Sequence, residues 1–289
     1  MAEENRFIGM RNDYMCKAVL QKAPEVLKHL VAALMEMDVK DILSCELLNP
    51  IELGKDIGSK DCVLDVKLCM NSDRIINLEI QMYKMDYWPE RSLLYWSRAF
   101  DELKEGEDYS KLKPTYQIGI LNHTLFEDNP EFYAEYVLMS KRTGKVYTDR
   151  MSIRVLDISR IDKAGAEDKE LVRWAKIFRA ETMRELEQLA GKEEVLQSMV
   201  MKIKELSYDE KIRQQCEARE KYEKTILTQY RAGERKGRAQ GMELGMARGL
   251  EQGRAEGKAD IARKMKQDGL DIEFIARYTG ISEEQIREL

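Results

Sequence analysis

The chain predicts a mixed α/β domain followed by a helical C-terminal extension. Three observations carry this. Residues 62–82 alternate apolar and polar positions with a period of two, twice over. The segments on either side carry the i, i+3, i+4 spacing of core-facing helices. From Glu167 onward, helical pattern and charge dominate.

The alternation is clearest in the stretch CVLDVKLCM-NSD-RIINLEIQM. In its first half Cys62, Leu64, Val66, Leu68 and Met70 point one way, and Val63, Asp65, Lys67 and Cys69 the other. In its second half Ile76, Leu78, Ile80 and Met82 share one face, and Ile75, Asn77, Glu79 and Gln81 the opposite face. Each half therefore reads as a half-buried strand, with Asn71-Ser72-Asp73 as the turn. A one-residue slip would mix the faces, so side-chain parity limits the register. Counting out from that turn sets Lys67 opposite Asn77 and Asp65 opposite Glu79. Facing carboxylates have Cβ atoms roughly 4.5–5.5 Å apart and destabilise the pair unless positive charge lies between them. A hard divalent cation with oxygen ligands is the simplest such charge.

Composition narrows the chemistry. With 289 residues, one or two domains are expected. The stretch Met-Ala-Glu-Glu-Asn-Arg does not read as a signal peptide, and no run of about 18 apolar residues occurs. The five cysteines, Cys16, Cys45, Cys62, Cys69 and Cys216, are odd in number and form no Cys-x-x-Cys. They point to reduced thiols, no structural zinc and a cytoplasmic protein. His29 and His123 are the two histidines, so a metal site would draw on carboxylates and favour Mg²⁺ or Mn²⁺. The net charge of −5 weighs against a protein whose whole surface grips phosphates, while leaving room for a local basic face.

Ahead of the hairpin, residues 12–37 predict two helices split near Pro24, the second burying Val26, Leu27, Leu30, Val31 and Leu34. A strand is expected around residues 46–53. Behind the hairpin, Trp88-Pro89 opens a helix to about Lys104, with Leu94, Trp96, Ala99, Phe100 and Leu103 as its buried stripe. On a neighbouring face Arg91, Tyr95 and Arg98 are spaced to reach a phosphate, although Arg91 equally suits a structural carboxylate partner. Strands follow at 115–121, 132–139 and 151–158, the last two around a turn at 141–145. His123 reads as a capping or core residue before a general base.

The tail repeats glycine at every fourth position from Gly233 to Gly257, seven in all, with seven Lys or Arg against four Glu in residues 231–258. Three readings stay open: a flexible linker, a helix crossing a second copy, or a transient phosphate-binding arm. Residues 259–289 predict three short helical pieces, with Ser282-Glu283-Glu284-Gln285 as a capping box. The last piece, EEQIREL, is too acidic for a DNA groove and reads as a packing or oligomerisation unit. The expected divisions are 1–160, 161–230, 231–258 and 259–289.

An Asp in one strand followed by Glu-x-Lys or Glu-x-Gln in the next resembles the PD-(D/E)xK nuclease core. Here it stands as Leu64-Asp65-Val66 and Asn77-Leu78-Glu79-Ile80-Gln81. The Asn-x-Glu-x-Gln form resembles the recombination-promoting nuclease/putative transposase branch. So do Asn12-Asp13-Tyr14-Met15-Cys16-Lys17, Arg91-Ser92-Leu93-Leu94-Tyr95-Trp96-Ser97, the set Gly106, Tyr109 and Leu112, the strand at 115–121 and the glycine tail. The resemblance spans residues 5–160 and, more loosely, the tail. It implies a restriction-endonuclease-like core, a mixed sheet flanked by helices, and a metal-dependent DNA endonuclease. Asp65, Glu79 and the carbonyl of Ile80 would hold Mg²⁺ or Mn²⁺. Gln81 would orient the water where the superfamily usually places Lys, and Lys67 would supply the charge that Gln81 lacks, unless it simply pairs with Glu79. The resemblance further suggests Asp13 or Lys17 as a first-helix acid or base, though either also suits a solvated helix face. Arg91 and Tyr95 are phosphate-binding candidates. The partners expected are DNA and further copies of the chain through its C-terminal helical region, with no membrane. The competing reading is a scaffold that binds DNA or protein without cleaving.

Overall fold

The computed structural model describes residues 7–51, 66–84, 87–101, 103 and 105–289. It divides into two compact units, Met1–Glu223 and Lys224–Leu289.

The first unit opens with helices α1 (Asp13–Lys22) and α2 (Pro24–Leu34). Asn12 starts α1 by accepting a hydrogen bond from the Met15 backbone N–H at 3.1 Å, and Pro24 occupies the first turn of α2, where its missing N–H costs nothing. Val26, Leu27, Leu30, Val31 and Leu34 are all buried, as the spacing predicts. In α1 every residue from Tyr14 to Leu20 is buried, so this helix runs through the core instead of lying on it.

Strands β1 (Cys45–Leu47), β2 (Val66–Met70), β3 (Arg74–Gln81), β4 (Thr115–Leu121), β5 (Tyr133–Tyr136) and β6 (Met151–Asp157) form one sheet in the order β1-β2-β3-β4-β6-β5. The β3–β4 and β4–β6 pairs are parallel and the others antiparallel. Asn71 and Ser72 take positive φ values of 52° and 61°, so the short turn twists in the sense that the flanking strands need. The register pairs Met70 with Arg74 and Lys67 with Asn77, as counted from sequence.

Helix α3 (Trp88–Phe100) makes the crossover that the parallel β3–β4 pair requires. It covers one face of the sheet, while α1, α2 and α4–α6 cover the other. For that reason β2 and β3 are buried on both faces rather than half-buried: Val66, Leu68, Ile76 and Leu78 enter the main core, and Cys69 and Ile75 pack with Ala99 of α3. The stripe that α3 buries is Trp88, Ser92 and Ala99. Leu94, expected inside, is exposed, and Trp96 and Phe100 are only half-buried, stacked on each other 5.0 Å apart. The Trp88 ring lies against Gly119 of β4, so the helix presents its Trp88, Ser92 and Ala99 side to the sheet.

Helices α4 (Lys169–Arg179), α5 (Met183–Ala190) and α6 (Glu194–Tyr208) join the same core as the sheet, α4 through Leu171, Trp174, Ile177 and Phe178, α5 through Leu186 and α6 through Met199 and Ile203. Helix α7 (Glu210–Gln267) begins in this unit, where Ile212 and Cys216 are buried.

In the second unit the glycine repeat lies within α7, which is helical throughout. Ala262 of α7, Ile275 of α8 (Ile272–Thr279) and Ile286 of α9 (Glu283–Glu288) form a small core of their own. Gly280 closes α8 with φ 69°, and Ser282 and Gln285 form the capping box. The acidic last helix thus packs as a cap on the end of α7.

Candidate active site

On the α3 side of the sheet the strand residues align in rows. Asn77, Gln117 and Ile153 form one row, Glu79, Gly119 and Val155 the next, and Gln81, Leu121 and Asp157 the last, at the carboxyl ends of β3, β4 and β6. Polar groups therefore climb a buried face towards the strand ends, where ligands of open α/β sheets gather.

Asn77 Nδ2 donates to Gln117 Oε1 at 2.8 Å, while Gln117 Nε2 is buried without a hydrogen-bond partner among the described residues. Above it, Glu79 is 2% exposed, and its Oε1 lies 2.8 Å from Arg91 Nη2 of α3. Arg91 also lies over the Tyr95 ring, 5.2 Å from its centroid. Of the two roles open to Arg91, carboxylate partner and phosphate contact, the first describes the structure as it stands. Gln81 Nε2 donates to the Tyr83 carbonyl at 3.1 Å, so the amide nitrogen is held by its own chain two residues on.

Two neighbours shape this row without having been singled out from sequence. A Cβ at Gly119 would stand 2.3 Å from Trp88 Cζ2, so only glycine admits the indole between Glu79 and Val155. The second is Asp157, 3% exposed, whose Oδ1 accepts from the Ser159 N–H at 2.9 Å and from its hydroxyl at 2.6 Å. The glycine inside the otherwise apolar run TYQIGIL is the one sequence signal for the first, since a strand glycine often marks a close approach. Nothing in sequence marks Asp157, which ends a strand like many others.

Asp65 lies outside the described residues. Lys67 is half-buried, opposite Asn77. The first-helix candidates sit with α7: Arg219 Nε donates to Asp13 Oδ2 at 2.6 Å, and Asn12 Nδ2 donates to the Cys216 carbonyl at 3.1 Å. Burial pushes the Asp13 carboxyl up despite Arg219, and Glu223, buried near the Asp13 charge, is pushed up to about 7. Lys17 is 2% exposed. Arg98 is exposed on the outer side of α3.

Among the described residues no group of three His, Cys, Asp or Glu side chains converges on a metal position. The donors at the strand ends are oxygens: the Glu79 carboxylate, the Ile80 carbonyl and the Gln81 amide. That set is of the kind a hard cation takes, while the positive charge that so deeply buried a carboxylate requires is supplied by Arg91 as the structure stands. Cys16, Cys45, Cys69 and Cys216 are free thiols.

A mixed sheet with a helix over one face and a buried glutamate near the end of its central hairpin is the architecture of a nuclease-like α/β protein. The chain belongs to the PD-(D/E)XK nuclease family of transposases, whose family model matches residues 10–229. That match takes in the sheet, α1–α6 and the first part of α7. No curated protein and no solved structure gives a significant match to the chain. No helix among the described residues is long and apolar enough to cross a membrane.

Proposed function

We propose that this protein is a metal-dependent DNA endonuclease that hydrolyses phosphodiester bonds at the row of Glu79 and Gln81. Membership of a nuclease family supports the general activity. The observation that carries the particular reading is Glu79 itself, a carboxylate 2% exposed on the covered face of β3. The observed hairpin register, with Val66 opposite Leu78 and Lys67 opposite Asn77, supports it. Asp65, Glu79 and the Ile80 carbonyl would hold Mg²⁺ or Mn²⁺, which supplies an activated water and offsets charge building on the phosphoryl oxygens. Gln81 positions the water through its amide oxygen. Arg91, which lies over Tyr95 on the adjoining helix turn, would be free to reach a DNA phosphate if a cation held by Glu79 replaced its charge there. Lys67, two residues on from Asp65 in sequence and opposite Asn77, adds positive charge.

Self-association through residues 231–289 and a cytoplasmic setting belong to the same proposal. The free thiols support the setting, and the long glycine-lined helix supports self-association.

Purified protein incubated with supercoiled plasmid and Mg²⁺, Mn²⁺, Ca²⁺ or chelator, beside Asp65→Ala and Glu79→Ala, tests the reading. Nicking or linearisation that needs Mg²⁺ or Mn²⁺ and vanishes in both variants is expected. Cleavage that survives either substitution removes the residue from the site.

One observation favours a second reading, a scaffold that binds without cutting: Arg91 already neutralises Glu79, and Gln81 carries no proton acceptor at neutral pH. DNA binding that ignores chelator and produces no breaks selects it.

A further inference from the structure

Beyond Gln81 and Leu121 the chain places an imidazole and a carboxylate that the assignments above leave unused. His123 follows β4 by two residues, and Asp157 ends β6. The Asn122 N–H donates to the Gln81 carbonyl at 3.0 Å, and the Ile158 N–H to the Leu121 carbonyl at 2.8 Å, so both loops leave the sheet tied to the ends of β3 and β4. Gln81, Leu121 and Asp157 are consecutive partners across three strands, each step about 4.8 Å.

Both ring nitrogens of His123 and Oδ2 of Asp157 are buried without a hydrogen-bond partner among the described residues. Such orphaned groups are rare and call for a reason. Asp157 is fixed on one side only: Ser159 holds Oδ1 through two bonds and leaves Oδ2 uncommitted. A carboxylate anchored by one oxygen with the other open is the arrangement that orients an imidazole and steadies its charged form. His123, with neither nitrogen committed, turns about its Cβ–Cγ bond without giving up a hydrogen bond.

We propose that His123 is the general base of the cleavage reaction, taking the proton that Gln81 has no means to accept, and that its charged form turns to the open Oδ2 of Asp157, to which it is not hydrogen-bonded as the structure stands. The inference rests on the nuclease reading and adds a proton acceptor to it. In the step, a water oxygen bonds to phosphorus while the phosphorus–oxygen bond to the leaving strand end breaks. The water proton passes to the imidazole, which later releases it to solvent, and the leaving oxygen takes a proton from solvent. Asp157 is a positioning residue.

The charged groups around the ring come from every neighbouring loop. Asp157 stands at the end of β6, Lys84 beyond β3 and Glu127 in the loop after β4. Lys84 Nζ lies 3.7 Å from Glu127 Oε1, and Arg160 binds both Glu127 at 3.4 Å and the Thr124 hydroxyl at 2.6 Å. Burial holds the imidazole below its ordinary value, and Lys84 adds to that, while Asp157 and Glu127 pull it back up. Burial and Lys84 thus favour the neutral imidazole, the form that accepts a proton.

The test is single-turnover plasmid cleavage by the full chain from pH 5 to 8.5, with wild type, Glu79→Ala, His123→Gln, His123→Gly and Asp157→Asn. The wild-type rate is expected to rise with pH through an inflection below the ordinary histidine value and then level. His123→Gln should cleave on the order of 10²-fold more slowly and lose that inflection, and His123→Gly should regain rate with added imidazole. Asp157→Asn should move the inflection lower, because it removes a charge that favours the imidazolium. If Glu79→Ala is dead while His123→Gln keeps the wild-type rate and profile, the base is not His123 and the nuclease reading stands. If wild type cleaves under no condition, both fall. NMR titration of the two histidines gives a readout free of cleavage: the His123 resonance should shift its midpoint in Asp157→Asn and His29 should not. An unmoved His123 overturns the pairing.

Discussion

Arg91 Nη2 stands 2.8 Å from Glu79 Oε1, a cation lent by α3 to a carboxylate buried in β3. Removing one member of a buried pair is far more costly than the pair's own contribution, because the remaining charge is left in a poor dielectric. Arg91→Ala is therefore expected to destabilise the metal-free protein by about 3 kcal/mol. Urea unfolding in chelator measures it. The Arg91→Ala/Glu79→Gln double variant should recover most of the loss. If the single variant unfolds like wild type, Arg91 is not what compensates Glu79.

Trp88 and Gly119 set the shape of the same row. The ring fills the space where a Cβ would lie, 2.3 Å from Cζ2, and the ring is buried. Gly119→Ala must push Trp88 outward, and α3 with it, at a cost of about 1–3 kcal/mol. Because Arg91 is carried by α3, the expected signature is double: a lower unfolding midpoint and a red-shifted tryptophan emission. Restoring space by Trp88→Phe in the Gly119→Ala background should recover part of the stability. An alanine variant with unchanged midpoint and emission would show that Trp88 does not fill the space above Gly119.

Glu223 gives the first unit a pH dependence of definite sign. Its carboxyl is raised to about 7, first by burial and then by the Asp13 charge, with Arg219 opposing. A carboxyl whose folded value lies above its unfolded value favours folding while protonated. Its contribution is thus complete below the ordinary glutamate value and is lost as pH rises through about 7. Asp13, raised by its own burial, acts in the same direction. Stability should fall between pH 5 and 8, and Glu223→Gln should flatten the slope and exceed wild type at pH 8. Chemical denaturation at the two pH values checks it; an equal slope in both proteins removes Glu223 as the cause.

Much of this arrangement is legible in the chain. The alternation around Asn71-Ser72-Asp73 gives the hairpin and its register, because parity and a short turn leave little freedom. Pro24 divides α1 from α2, and the capping box marks α9. The burial of both faces of β3 is not legible, since it depends on which way α3 crosses. The same holds for α3 itself: its spacing allows Leu94 inside, but the indole of Trp88 in the Gly119 gap wins the deep position, and a single-helix pattern cannot weigh a partner from another strand. Asp13 meets Arg219 across 206 residues, a contact that no local pattern announces.

The glycines of α7 offer the sharpest test of the proposed self-association. A Cβ built at any of the seven, Gly233, Gly237, Gly241, Gly245, Gly249, Gly253 or Gly257, meets nothing within 4 Å. Within the second unit, then, no close neighbour among the described residues requires glycine at these positions, and each costs the helix about 1 kcal/mol relative to alanine. A step of four residues turns about 40° past a full circle, so the stripe winds around α7 and faces a crossing helix over only part of its length. Replacing all seven by alanine should raise the thermal stability of the tail, read by circular dichroism. If a second copy approaches along the stripe, the added methyls must prop the helices apart. Sedimentation at matched concentrations should then show the alanine variant lighter than wild type. A more helical variant with unchanged mass would show that the glycines are not where two copies cross, and would leave their spacing without a structural role in assembly.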